Sequence, residues 1–160
     1  TGDTIAFTSL FPHRIIVTGR YKHFISAFGE HVIASEVEKS LKLALEKHPF
    51  EVNEFCVVPQ VSPKKGLPFH EWWIEFKKPP SKNEVKKLSA ALDYYMQTHN
   101  IYYKDLINGK VLKELEIIAL KAGVFKKYMK SKGKLGGQNK LPRLSNDRTI
   151  VEEIVLKTKV

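Results

Sequence analysis

Between residues 23 and 120 the apolar residues change spacing in the order strand, helix, strand, strand, helix, strand, and few folds accommodate that order. Residues 23–28 read as a short strand ended by Gly29. Ser35 then opens a helix. Ser35 and Glu38 stand at capping-box spacing, and Val37, Leu41, Ala44, Leu45 and His48 fall on one helical face before Pro49 stops it. Residues 55–59 and 69–77 read as two strands, joined by a segment whose Pro63, Gly66 and Pro68 mark an exposed loop. In the second of these strands Trp72, Ile74 and Phe76 share one face, and Trp73, Glu75 and Lys77 take the other. A second capping box, Ser81 to Glu84, opens a helix with Val85, Leu88, Leu92 and Met96 as its core stripe. Residues 112–120 alternate again, with Leu115, Ile117 and Ala119 inward.

This order predicts an α+β fold of the split βαβ, ferredoxin-like kind, one sheet with its helices packed on one face. Two β-rich runs, 4–10 and 14–18, flank Phe11-Pro12-His13 and predict an N-terminal β-hairpin ahead of it. A basic, Gly-rich tail and a short helix over about 147–156 follow. At 160 residues and 42% hydrophobic content the chain can bury one ordinary core, so a single domain over 1–160 is expected. The fold hosts many functions and decides none of them.

Composition removes several classes of function. No stretch approaches the roughly 18 uninterrupted apolar residues of a membrane span. The first residues, Thr1 to Thr4, carry no targeting pattern and no initiating methionine, which suggests a fragment or a trimmed chain. The single cysteine, Cys56, excludes an internal disulfide and a Cys-rich metal site. Lying among Phe55, Val57 and Val58, it reads as an inert core thiol, and a reducing cytoplasm is the expected location. The six histidines show no metal-ligand spacing. Charge is more informative: Lys and Arg number 27 against 17 Asp and Glu, a formal +10. Eight basic residues lie between Lys121 and Arg143 with no acidic one among them, a tract that attracts phosphate-bearing partners of any kind.

Three segments carry chemistry. Thr1-Gly2-Asp3 heads a strand, and a carboxylate so placed can accept both hydroxyls of a ribose. The second runs Thr18-Gly19-Arg20-Tyr21-Lys22-His23-Phe24-Ile25, with Gly29, Val32 and Glu36-Val37-Glu38 after it. In identity, order and spacing this set resembles the adenylate-forming enzymes, which carry a TGD segment, a short hairpin, a G-R-x-[D/K]-x-x-I run and an [I/V]-x-x-x-E-[I/V]-E helix start. The third, Gly136-Gly137-Gln138-Asn139-Lys140-Leu141-Pro142-Arg143, resembles the G-G-x-x-K-x-P-R tail of the auxin-responsive acyl acid–amido synthetases and their bacterial relatives. The Trp72-Trp73-Ile74-Glu75-Phe76 strand and the Ala91-Leu92-Asp93 segment are similar to theirs as well.

The resemblance implies a C-terminal, mobile domain of a larger enzyme, with residues 1–22 forming its hairpin and hinge region and an N-terminal domain absent. Such enzymes adenylate a carboxylic acid with ATP, release pyrophosphate, and let an amino acid's amine displace AMP to form an amide. Asp3 would bind the ribose hydroxyls of ATP or AMP, and Arg20 the sugar or phosphate. Lys22 stands at the hinge. Lys140 stands where the family's late catalytic lysine lies, a point charge for the α-phosphate and the developing pyrophosphate. Mg²⁺, the acyl pocket and most phosphate contacts would belong to the N-terminal domain, so the chain alone is expected to be inactive. Ser26 replaces the lysine that acyl-CoA ligases often keep after the isoleucine of the hinge run, which fits an amine acceptor. A second reading is a nucleic-acid-binding module, since a ferredoxin-like sheet with a basic tail is also a common RNA-binding form. Its strands lack the expected aromatic platform.

Overall fold

The computed structural model describes residues 3–20, 24–134, 136 and 140–158, with the backbone alone for 3, 4, 18–20 and 158. β1 (Asp3–Leu10) and β2 (His13–Arg20) form an antiparallel hairpin. β3 (Phe24–Ile25) and β4 (Val32–Ile33) form a two-residue ladder that runs directly into α1 (Ala34–Lys47). β5 (Val52–Gln60) pairs antiparallel with β6 (Phe69–Phe76). α2 (Lys82–His99) and α3 (Ile101–Asn108) then carry the chain across to β7 (Glu116–Leu120), which lies parallel to β6. α4 (Val124–Ser131) and α5 (Thr149–Thr158) complete the order.

The α+β class matches expectation, and the detail of the first strand differs. Residues 24 and 25 pair with β4 and do not enter the main sheet, whose order is β5-β6-β7. The turn between them explains this. Gly29 at φ +89° and His31 at φ +48° fold the chain back on itself, so Phe24 and Ile25 meet Ile33 and Val32.

β6 is buried along its whole length, because both of its faces are covered. Trp72, Ile74 and Phe76 pack with Leu41 and Ala44 of α1 and with Leu88, Leu92 and Met96 of α2. Trp73 packs on the opposite face with Cys56, Val58, Phe125 of α4, and Val151 and Ile154 of α5. The two expected helices thus share one face, and the tail brings two more to the other. The Trp pair is packing on both sides, and burying side chains of this size is worth about 1.5–3 kcal/mol each.

The second capping box forms as expected: the Ser81 N–H donates to Glu84 at 2.7 Å and the Glu84 N–H donates to Ser81 Oγ at 3.4 Å. The first does not. α1 begins a residue earlier, at Ala34, with Glu36 accepting the Ile33 N–H at 3.1 Å, and Glu38 is drawn instead to Arg143. Leu115, just before β7, and Leu120, at its end, are buried and Ile117 is partly so, whereas Ala119, expected inward, is exposed. Cys56 is fully buried, and burial, helped by the Glu54 and Asp147 charges, pushes its thiol up to about 12.

Candidate functional site

The tail that carries Lys140 is fastened along the free edge of β5. The Val57 N–H donates to the Arg143 carbonyl at 2.9 Å, the Ser145 N–H donates to the Val57 carbonyl at 3.1 Å, and Leu144 sits opposite Val57 as a parallel bridge. Leu144 fills the core under α1 and α2, while Leu141 fills the one under α4 and α5. Arg143 adds a side-chain clasp. Its guanidinium donates to Glu38 at 2.6 Å and to Glu54 at 3.3 Å and lies 5.1 Å from the Phe55 ring centre. Burial works against its charge, but the Glu38 hydrogen bond and both carboxylates outweigh that and hold its pKa above the ordinary value. Lys140, one residue before Leu141, is left exposed. An open groove of about 460 Å³ lies between α1 and β5, with Arg143, Glu38 and Glu54 on its wall.

A buried polar network holds the loop that follows β3. Glu30 is fully buried; its carboxylate accepts from His70 Nε2 at 2.8 Å and from the Phe28 N–H at 2.8 Å. Burial pushes this carboxyl up, yet the His70 hydrogen bond and charge and the backbone N–H groups outweigh it, and the group is held below the usual carboxylate value. The His70 ring stacks on Tyr103, whose hydroxyl donates to Asp93 at 2.6 Å. Asn100 ends α2 and caps α3, accepting from the Tyr103 N–H at 2.7 Å. The same side chain donates to the Glu30 carbonyl at 3.1 Å and to Glu36 at 3.0 Å. The loop is therefore tied to β6, α1, α2 and α3 at once.

Of the residues singled out from sequence, Asp3 and Arg20 come together: they are Cα partners at the open end of the β1–β2 hairpin. Lys22 lies outside the described residues. Lys140 stands on a different element, the tail beside β5. Gly136 has φ +97°, where a side chain would be strained, as its place in the Gly-rich run suggests; Gly137 lies outside the described residues. Ser26 shares a hydrogen bond with His31 Nδ1 at 3.0 Å. Glu30, His70 and Asn146 were not singled out, since a buried carboxylate, a strand histidine and a loop asparagine leave no periodic signal. Among the described residues no group of three or more His, Cys, Asp or Glu could hold a metal ion, and no helix is long and apolar enough to cross a membrane.

The fold has counterparts among known proteins. The sequence profile of the GH3 family C-terminal domain matches residues 31–149, and the chain belongs to that family. The solved structure of GH3.15 acyl acid amido synthetase superposes with a TM-score of 0.75 at 19% identity, over 98% of this chain and 30% of that one. AtGH3.15 acyl acid amido synthetase in complex with 2,4-DB gives 0.73 at 18% identity, over 98% and 29%. At these identities the likeness is one of fold, and the chain spans under a third of the length of those structures. No curated protein matches the sequence.

Proposed function

We propose that this chain is the mobile C-terminal domain of an ATP-dependent acid–amido synthetase, incomplete without a larger N-terminal domain. The observation that carries this reading is the presentation of Lys140 on a tail stitched to β5 and held by Arg143, within a chain of the GH3 family. A fixed edge next to an exposed ammonium can bring a point charge to a phosphate on another body without reorganising at the moment of reaction. Asp3 and Arg20 then take the nucleotide sugar and phosphate side, and Lys22 is the pivot. The acid's carboxylate attacks the α-phosphate of ATP, so that pyrophosphate leaves and an acyl adenylate forms; the amine of an amino acid then attacks the acyl carbon, giving up a proton as AMP leaves and the amide forms. Mg²⁺ would be held through the N-terminal domain.

The hairpin supports a partner domain. Ile5, Phe7, Leu10, Phe11, Ile15 and Val17 are all exposed, more apolar surface than a hairpin needs in water and of the kind that marks an interface. The test is Lys140→Ala in the longest natural form of the protein. Adenylation measured by acid-dependent pyrophosphate exchange is expected to fall on the order of 10²–10³-fold, the loss typical of one preorganised charge or donor. Full retention would remove the reading. The 160-residue chain alone is expected to show no ligation.

A nucleic-acid-binding reading draws on one observation: Lys126, Lys127, Lys130 and Lys134 are exposed along α4 and its exit. Against it, the sheet aromatics Phe69, Trp72, Trp73 and Phe76 are buried and leave no platform for bases. Oligonucleotide affinity measured against salt concentration separates the two.

A further inference from the structure

The segment emerging from the hinge run has an unusual partner on its second edge. β3 is covered on one side by β4. On the other, a side chain takes the place of a strand: Asn146 Oδ1 accepts the Ser26 N–H at 2.9 Å, and Asn146 Nδ2 donates to the Phe24 carbonyl at 2.8 Å. A carbonyl and an N–H two residues apart on one edge are what a neighbouring strand would engage. Among short side chains a primary amide is the one that accepts and donates side by side, so Asn reproduces the strand's pattern and Asp or Ser does not.

Asn146 follows directly on the residues paired to β5, Arg143 and Ser145, on the same tail as Lys140. One amide therefore joins parts of the chain 120 and 122 residues apart. The bonds are exposed, and both backbone groups would find water without them, so their contribution to stability is modest. Their contribution to orientation is not. The Glu30–His70 pair and Asn100 already fix residues 28–36 to the sheet and helices, but β3 itself is two residues long and lies outside the main sheet. The Asn146 amide links this strand to the tail.

We infer that Asn146 is a positioning residue that clasps residues 24–26 to the tail, so that a rotation beginning near Lys22 carries the Lys140 loop with it as one body. This rests on the reading of Lys140 given above. Without the clasp the tail keeps its place on β5, but the segment leaving the hinge can shift relative to it. A displacement near 1 Å at a charge that must meet a phosphate costs on the order of a hundredfold in rate.

The experiment uses the longest natural form of the protein and compares Asn146→Ala and Asn146→Asp, each alone and combined with Lys140→Ala. Acid-dependent pyrophosphate exchange and thermal midpoint are read for all of them. Asn146→Ala is expected to lower the adenylation kcat on the order of ten- to a hundredfold with the KM for ATP little changed. Asn146→Asp, which keeps the acceptor for Ser26 and sets a carboxylate against the Phe24 carbonyl, is expected to be equally impaired and guards against a folding defect in the alanine variant. In the Lys140→Ala background either change is expected to cost nothing further. A full rate in Asn146→Ala overturns the inference, as does a loss that is the same with and without Lys140. A Lys140→Ala variant with full adenylation rate removes the underlying reading and this inference together, an outcome separate from the additive one.

Discussion

Glu30 is a fully buried carboxylate, and its ionised state contributes to the stability of the fold. Its pKa in the folded chain lies below the usual 4.5, so its stabilisation is complete above that value and is lost as pH falls through the folded-state pKa. Glu30→Ala leaves His70 Nε2 and the Phe28 N–H without their acceptor, and is expected to cost about 2–3 kcal/mol at pH 7, the worth of a charge-assisted buried hydrogen bond. Urea unfolding at several pH values checks this: the gap between variant and parent should be widest at neutral pH and narrow below 4.5. A gap independent of pH would mean that Glu30 acts through shape and not through charge. Cys56 illustrates the opposite case, a group whose burial removes it from chemistry.

Elements were legible where their signals were local. Ser81, Glu84 and the Val85–Leu88–Leu92–Met96 spacing specify α2, because cap and stripe agree with each other and with the fold. The Ser35–Glu38 spacing fails at α1 because two better-placed partners compete: Glu36 reaches the Ile33 N–H, and Arg143 takes Glu38. Arg143 lies 105 residues away in sequence, so no local rule could have found that pair. α3 begins where α2 ends, with Asn100 serving both, and its eight residues hold only a short stripe, Tyr103, Leu106 and Ile107. The site divides in the same way. Asp3, Arg20 and Lys140 stand in ordered motifs, whereas Glu30, His70 and Asn146 act through contacts that only the folded chain creates. The tail's hold on β5 is testable at this scale. Arg143→Ala is expected to lower stability by only about 1 kcal/mol, since the guanidinium is partly exposed and its ion pairs are screened, while raising hydrogen exchange at the Val57 and Ser145 amides. Unchanged exchange at those amides would show that the backbone bridge alone holds the tail.

At the scale of the whole molecule, and among the described residues, the hairpin leaves most of its apolar side chains exposed. Phe11 is 94% exposed and Leu10 72% exposed at its tip. The isolated chain is therefore expected to self-associate with rising concentration, and Phe7→Lys with Val17→Lys to restore monodispersity without lowering the thermal midpoint. Sedimentation of the two forms over a concentration series decides it. A parent chain that stays monomeric throughout would argue that these side chains need no partner.

Where residues 143–145 run beside Val57, they also cover the middle of a strand edge that would otherwise present bare backbone groups there. An uncovered β-edge invites a second chain to add to it, and chains so joined grow into aggregates. The same few residues that present a lysine outward thus shield the protein from its own copies. A tail that swung far from β5 would give up that shield, so on the proposed reading the domain moves with its tail in place.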